Sequence, residues 1–200
     1  MSTKLDILNH VLSVISEDPV DDYDSTLPSA QTITGSIKRL DKSTQSTAWW
    51  FNQDFNLPLV PTTEGFLIIP DNTLRVTFPI TSSVVQRGRK VYDPVNHTYV
   101  FTAQLTVDLV TQLDLDDTPE QYSTYIMHKA AYDFYVNDDG DEQKANRLYN
   151  EAMKAWAFLV RENLRQLNVN VAKRPQVLTL LSGMRQQQQN MNPNTIGGRS

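Results

Sequence analysis

Apolar side chains recur with helical spacing at both ends of the chain and with strand-like spacing in its middle. Leu5, Leu8, Val11, Leu12 and Ile15 stand three and four residues apart, which sets them on one side of a helix that closes before Pro19. The acidic turn Asp21, Asp22 and Asp24 leads to a second helical pattern from about Pro28 to Ala48, with Ile33, Ile37 and Leu40 on its apolar side. Its many Ser and Thr residues compete for backbone hydrogen bonds, so this helix needs a neighbour to pack on.

From Leu57 to Leu113 the period shortens. Strands are predicted at Phe66 to Ile69, Leu74 to Phe78, Val84 to Gln86, Lys90 to Tyr92 and Tyr99 to Val110, punctuated by Pro58, Pro61, Pro70, Pro79 and Pro94. Leu105, Val107 and Leu109 alternate with Thr106 and Asp108, the pattern of a half-buried antiparallel strand. Arg87-Gly88-Arg89 reads as a hairpin turn, because Gly88 can take a positive φ. Helix returns at Thr118-Pro119-Glu120-Gln121, with Thr118 as cap, Pro119 at the first position and Gln121 closing a capping box. Tyr122, Tyr125, Ile126, Ala130 and Phe134 form the buried stripe of this helix. A long last helix places Ala145, Leu148, Ala152, Ala155, Trp156, Leu159 and Leu167 in register.

This order predicts an α+β fold: a four-helix unit, residues 1–56 and 114–167, with a small antiparallel β subdomain, 57–113, inserted between helices 2 and 3. Residues 168–200 are expected to form a flexible basic C-terminal arm, since their Gln, Asn and Gly content buries too little apolar surface to order alone.

Composition narrows the function classes. Two hundred residues at 40% hydrophobic content support one substantial core, or one core with a smaller inserted subdomain. The opening residues lack the basic flank and apolar run of a signal peptide, and no stretch approaches membrane-spanning length, so a soluble protein made in the cytoplasm without membrane insertion is expected. The absence of cysteine excludes disulfides, thiolate metal sites and cysteine nucleophiles. Net charge is -5, but after Glu162 the charged residues are Arg165, Lys173, Arg174, Arg185 and Arg199. Removing those five leaves 13 of the 18 basic residues against 23 acidic ones, so the preceding body carries -10. Such a body does not grip phosphates and is not a general DNA-binding domain.

No motif assembles a reaction centre or a cofactor site. His10, His97 and His128 fall on different predicted elements without zinc spacing; the expected places are a polar helix face, a hairpin loop and a half-buried helix position, respectively. Asp138, Asp139, Asp141 and Glu142 around Gly140 resemble a calcium loop, but the later bidentate Glu falls at Asn150. Asp114 and Asp116 could form the acid and base of a glycosidase, but Asp116, Asp117 and Glu120 are better explained by the start of the third helix. Nucleophile elbow, phosphate loop and dinucleotide turn are all missing. Trp49-Trp50-Phe51 is the densest aromatic cluster, and its place between helix 2 and the β region makes it a structural junction ahead of a sugar or base platform.

Several short stretches, in order, resemble the tail tubular protein A adaptors of short-tailed bacteriophages. Asp6-Ile7-Leu8-Asn9 and Ile15-Ser16-Glu17-Asp18-Pro19-Val20 are similar to the family's first helix and its exit. Trp49, Phe51 and Asn52 match a Trp-x-Phe-Asn hallmark, with Ala48 standing where the family often has Gly, a harmless change at a helix end. Arg87 to Asp93 resembles an Arg-Gly turn and Val-Tyr-Asp strand, and Asp116 to Glu120, leading to Lys129-Ala130 and Phe134, resembles the start of helix 3. The likeness spans about residues 5 to 160.

The resemblance implies a homo-oligomeric ring of twelve subunits in the virion tail, beneath the portal protein and above the nozzle protein, tail tubular protein B. Tail fibres would attach near that junction, DNA would pass through the channel without specific binding, and no active site, metal or cofactor is implied. A closed ring would stabilise a subunit with small strands and a Ser/Thr-rich helix. The arm then becomes a candidate contact with the portal or a neighbouring subunit, with Val177, Leu178, Leu180 and Leu181 entering a groove while Lys173, Arg174 and Arg185 meet acidic surface. A tail-associated polysaccharide hydrolase and a nonviral protein-recruitment module are the alternatives.

Overall fold

Thr3 opens the first helix, α1 (Lys4–Val14): its hydroxyl accepts the Asp6 amide while the Asp6 carboxylate accepts the Thr3 amide, a closed capping box. The structure, a computed structural model, describes residues 2–137 and 141–173, with side chains to 167. α1 ends where Ser16 takes a φ of 63° and the Glu17 N–H bonds the Leu12 carbonyl. The Asn9 side chain then binds both the N–H and the carbonyl of Val20, pinning the exit loop to α1.

α2 (Pro28–Gln45) begins with proline in its first turn and packs on α1 and on α3 (Glu120–Asn137). It closes before Ala48, whose φ of 72° cannot continue a helix. β1 (Gln53–Leu59), β2 (Thr73–Thr77) and β5 (Leu105–Thr111) form an antiparallel sheet in the order β1-β5-β2, and β3 (Val85–Arg87) pairs with β4 (Lys90–Tyr92) as a hairpin turned by Gly88 at φ 61°. α4 (Glu142–Lys173) is the last helix among the described residues and runs on past Leu167, where the amphipathic pattern closes. The chain divides into one compact unit ending at Leu159 and another beginning at Val160. In the latter, Arg165 and Gln166 both donate to the Glu162 carboxylate along α4.

The class is α+β, four helices with small antiparallel sheets, as the sequence predicts. Four local expectations are corrected. β1 starts at Gln53, inside the stretch read as helical unit; Pro58 and a bulge between Asp54 and Leu57 hide it, and the bulge holds because Asn56, at φ 57°, donates its N–H to Asp108. Phe66 to Ile69 is not a strand: isolated bridges to Val100 and Lys90 hold it, with Leu67 and Ile69 buried. The last β run begins at Leu105, so Tyr99 to Gln104 lies outside it; near its start, Val100 crosses so close to Gly65 that a Cβ there would lie 2.7 Å from a Val100 methyl. Thr118 is also not the cap it resembles, because its hydroxyl donates back to the Leu115 carbonyl of a 3-10 turn, Leu115–Asp117.

Two apolar cores result. Ile7, Leu8, Val11, Leu12, Ile33, Ile37, Tyr122, Ile126 and Leu159 are buried among the helices. Leu59, Leu67, Ile69, Val91, Val107 and Leu109 close the β core, flanked by Val76, Phe78 and Phe101.

Candidate functional site

Every turn of α2 presents one residue inward at a spacing of four, Ile33, Ile37, Asp41 and Gln45, so the apolar stripe becomes polar where the helix meets the β region. Gln45 is wholly buried; its amide donates to Asp41 Oδ1 and to the Leu113 carbonyl, both at 2.9 Å, and its oxygen accepts the Leu113 N–H at 2.8 Å. The Tyr122 hydroxyl of α3 donates to the same Asp41 oxygen at 2.9 Å. Asn52 completes the lattice: its oxygen accepts the Trp49 N–H, its amide donates to the Gln45 carbonyl, and its own carbonyl accepts the Thr111 N–H. Helix 2, β1, β5 and helix 3 are thus tied together by directional bonds out of water.

Trp49 lies at 3% exposure, and its indole N–H donates to the Thr44 carbonyl. Edge-on contacts surround it, with ring centroids 6.3 Å from Tyr122 and 5.5 Å from Trp156. Phe51 meets Tyr122 at 5.1 Å and Trp50 at 5.1 Å, and both Phe51 and Trp50 are half-buried. A stacking platform needs an open ring face; Trp49 offers none. Ala48 is the strained point, since a left-handed φ costs an alanine what glycine would not incur. The reading of Ala48 as a harmless change at a helix end is therefore wrong.

Burial raises the Asp41 carboxyl above its ordinary range, opposed by the bonds from Gln45 and Tyr122. Burial, with the Asp41 charge beside it, likewise raises the Tyr122 phenol. A cavity of about 450 Å³ beside this carboxylate is lined by Lys4, Tyr23, Ile37, Lys38, Asp41 and Gln112, among others. At its rim Lys4 lies 2.8 Å from Asp114 and 3.5 Å from Asp116. The hydrogen bond from Lys4 holds Asp114 below the usual carboxylate range, the opposite of what a glycosidase acid requires. Asp116 and Glu120 instead accept the N–H groups of Lys4 and Ser2, so these acids anchor the start of α1.

His97 occupies the turn between Asp93 and Thr98, at φ 53°. His10 and His128, apart in the sequence pattern, are brought together with ring centroids 5.6 Å apart, so His10 is half-buried and not on a polar face. Among the described residues no group of three or more His, Asp or Glu side chains could hold a metal ion. Asp138, Asp139 and Gly140 lie outside the described residues, while Asp141 accepts the Lys144 N–H at the start of α4. Of the candidate arm, Lys173 ends α4; Arg174, Val177, Leu178, Leu180, Leu181 and Arg185 lie outside the described residues.

Sequence reasoning missed Asp41, Gln45 and the Thr3/Asp6 cap, and found Asn52 only as part of the family hallmark. The spacing of four that carries Ile33 and Ile37 into Asp41 and Gln45 was the available signal, and Thr-x-x-Asp before an apolar helix was the other.

Among described residues no helix is long and apolar enough to cross a membrane. The family model described as tail tubular protein matches residues 5–169. Tail tubular protein A of Klebsiella phage KP34 is 27% identical over 171 residues, which cover 85% of this chain and 91% of that protein.

Proposed function

The chain belongs to the tail tubular protein family, and from that premise we propose that it is the adaptor subunit of a ring joining the portal to the nozzle of a short-tailed phage. It is a structural protein of the phage tail. The observation that carries the finer reading is the family match along the helical unit and β subdomain, with the Trp-x-Phe-Asn hallmark at Trp49, Phe51 and Asn52.

In this reading twelve copies close a ring, the portal sits above it, tail tubular protein B continues it below, and the fibres attach near that lower junction. The subunit is made in the host cytoplasm and ends in the virion tail. Excess acid on the body faces the channel, where it repels phosphates and lets the genome slide. The basic arm from residue 168 seats Val177, Leu178, Leu180 and Leu181 on the portal while Lys173, Arg174 and Arg185 meet acidic surface. Trp49, Trp50 and Phe51 serve as the structural junction, with no role in turnover.

Electron microscopy of the purified protein with and without its portal tests this: twelvefold rings capping the portal are expected, and failure to join portals contradicts it. Truncation before Lys173 should leave the body folded and weaken attachment. Undiminished affinity would remove the arm from the interface.

A further inference from the structure

Gly35, Gly65 and Gly88 are the glycines among the described residues, and two of them have a reason within the chain. Gly65 and Gly88 take φ values of 83° and 61°, and a Cβ on Gly65 would collide with Val100. Gly35 has neither reason. It stands in the middle of α2, where glycine makes the folded state about fivefold less favourable than alanine would. An added Cβ there would meet only the far end of Arg39, at an ordinary 3.6 Å. Gly35 lines a hollow of about 240 Å³ walled by Tyr23, Asp24, Gln31, Thr34 and Lys38.

Beside this hollow α2 carries Lys38, Arg39 and Lys42, all exposed. Among the described residues none of the three is in an ion pair: Lys38 has the Tyr23 ring, 5.6 Å from its Nζ, and Arg39 donates to Ser36. The single carboxylate of α2, Asp41, is turned inward to Gln45 and Tyr122. Other cations are answered within the chain, Lys4 by Asp114, Arg89 by Asp71 and Lys129 by Asp133, while Arg147 and Lys154 of α4 stand among exposed Glu142 and Glu151.

We propose that this face of α2 receives carboxylates from a second copy of the chain, with Gly35 admitting the partner's backbone and Lys38, Arg39 and Lys42 taking its charge. The inference rests on the ring reading for its occupant and adds the surface by which neighbours meet. Bodies that each carry -10 repel one another unless cations enter the contact. Duplex DNA could also bind these cations through its phosphates. A polyanion lying along the body meets the surrounding acid as well, whereas a partner segment brings only a few carboxylates to the face.

Sedimentation of the full chain, alone and with its portal, at about 0.05 M and about 0.5 M salt reads the contact. Lys38→Gln, Arg39→Gln and Lys42→Gln together keep helix-forming side chains; they should weaken self-association about tenfold and remove most of its salt dependence. Gly35→Ala should split two readouts. In chemical denaturation the dissociated variant should gain about fivefold in its folding equilibrium, while its self-association falls. A gain in stability with association unchanged would mark a merely solvated face and overturn the proposal. Undiminished assembly of the triple variant would overturn it too and leave the ring reading standing, whereas a parent that stays monomeric with and without its portal ends both. If the triple variant assembles normally but loses binding to a fluorescent DNA duplex, the face belongs to nucleic acid and the proposal fails.

Discussion

Leu59, Leu67, Ile69, Val91, Val107 and Leu109 meet in the β core, whereas Asp41, Thr44, Gln45, Asn52, Thr118 and Ser123 are buried in the helical region and its junction. Aliphatic contacts reward any close fit, so the β core is held by shape and area. Hydrogen bonds reward one geometry and penalise the rest, so the network around Gln45 fixes how α2 meets β5. Apolar packing stabilises both regions; the polar lattice sets the register between them. Sliding α2 past Leu113 would orphan several buried groups at once.

Removing the aromatic centre of the joint tests whether the two regions behave as one body. Trp49→Ala should cost about 3 to 5 kcal/mol, lowering the denaturation midpoint seen by helical and by β probes together. An unchanged midpoint would show the ring to be dispensable, and a shift in the helical probe alone would split the regions.

Asn52→Ala strips partners from the Trp49 N–H and the Gln45 carbonyl, and should cost about 3 kcal/mol. Chemical denaturation measures it. A loss no larger than that of an exposed Asn→Ala change, such as at Asn96, would mean that directional bonding contributes little to the joint.

Ala48→Gly sharpens the same comparison in the other direction. Relief of the left-handed φ should stabilise the chain by about 1 kcal/mol, since the added freedom of glycine in the unfolded state offsets part of the gain. A lower midpoint for Ala48→Gly would show the turn to be unstrained.

The smallest effect concerns pH. Because the folded pKa of Asp41 is raised from 3.8, the folded chain holds that proton longer than the unfolded chain does. The resulting stability is full below 3.8 and is lost as pH rises through the folded value. Asp41→Asn keeps an oxygen for Gln45 and Tyr122 but cannot ionise, so it should gain on the parent as pH rises across that window. Parallel stability curves would contradict the burial of this charge.

Spacing or one permissive residue set the four helices, the Arg87-Gly88-Arg89 hairpin and the alternation of Leu105, Val107 and Leu109, though not the start of that strand. Spacing missed β1, since a polar, bulged strand containing Pro58 carries no alternation to read; only pairing with β5 makes it a strand. Thr118 looked like a helix cap because capping signals are local, yet the 3-10 turn before it claimed the hydroxyl.

The sequence by itself determined the class of fold and the aromatic weight of the Trp49 region, which reside in short spacings, and its motifs taken in order carried the resemblance to the family. Tertiary structure decided which polar groups share that joint and which histidines meet. Gln45 reaches Leu113 across 68 positions and His10 lies against His128, and no local pattern encodes such partners. Long-range pairing of buried polar atoms depends on how whole elements dock, and docking is settled only when every element is in place.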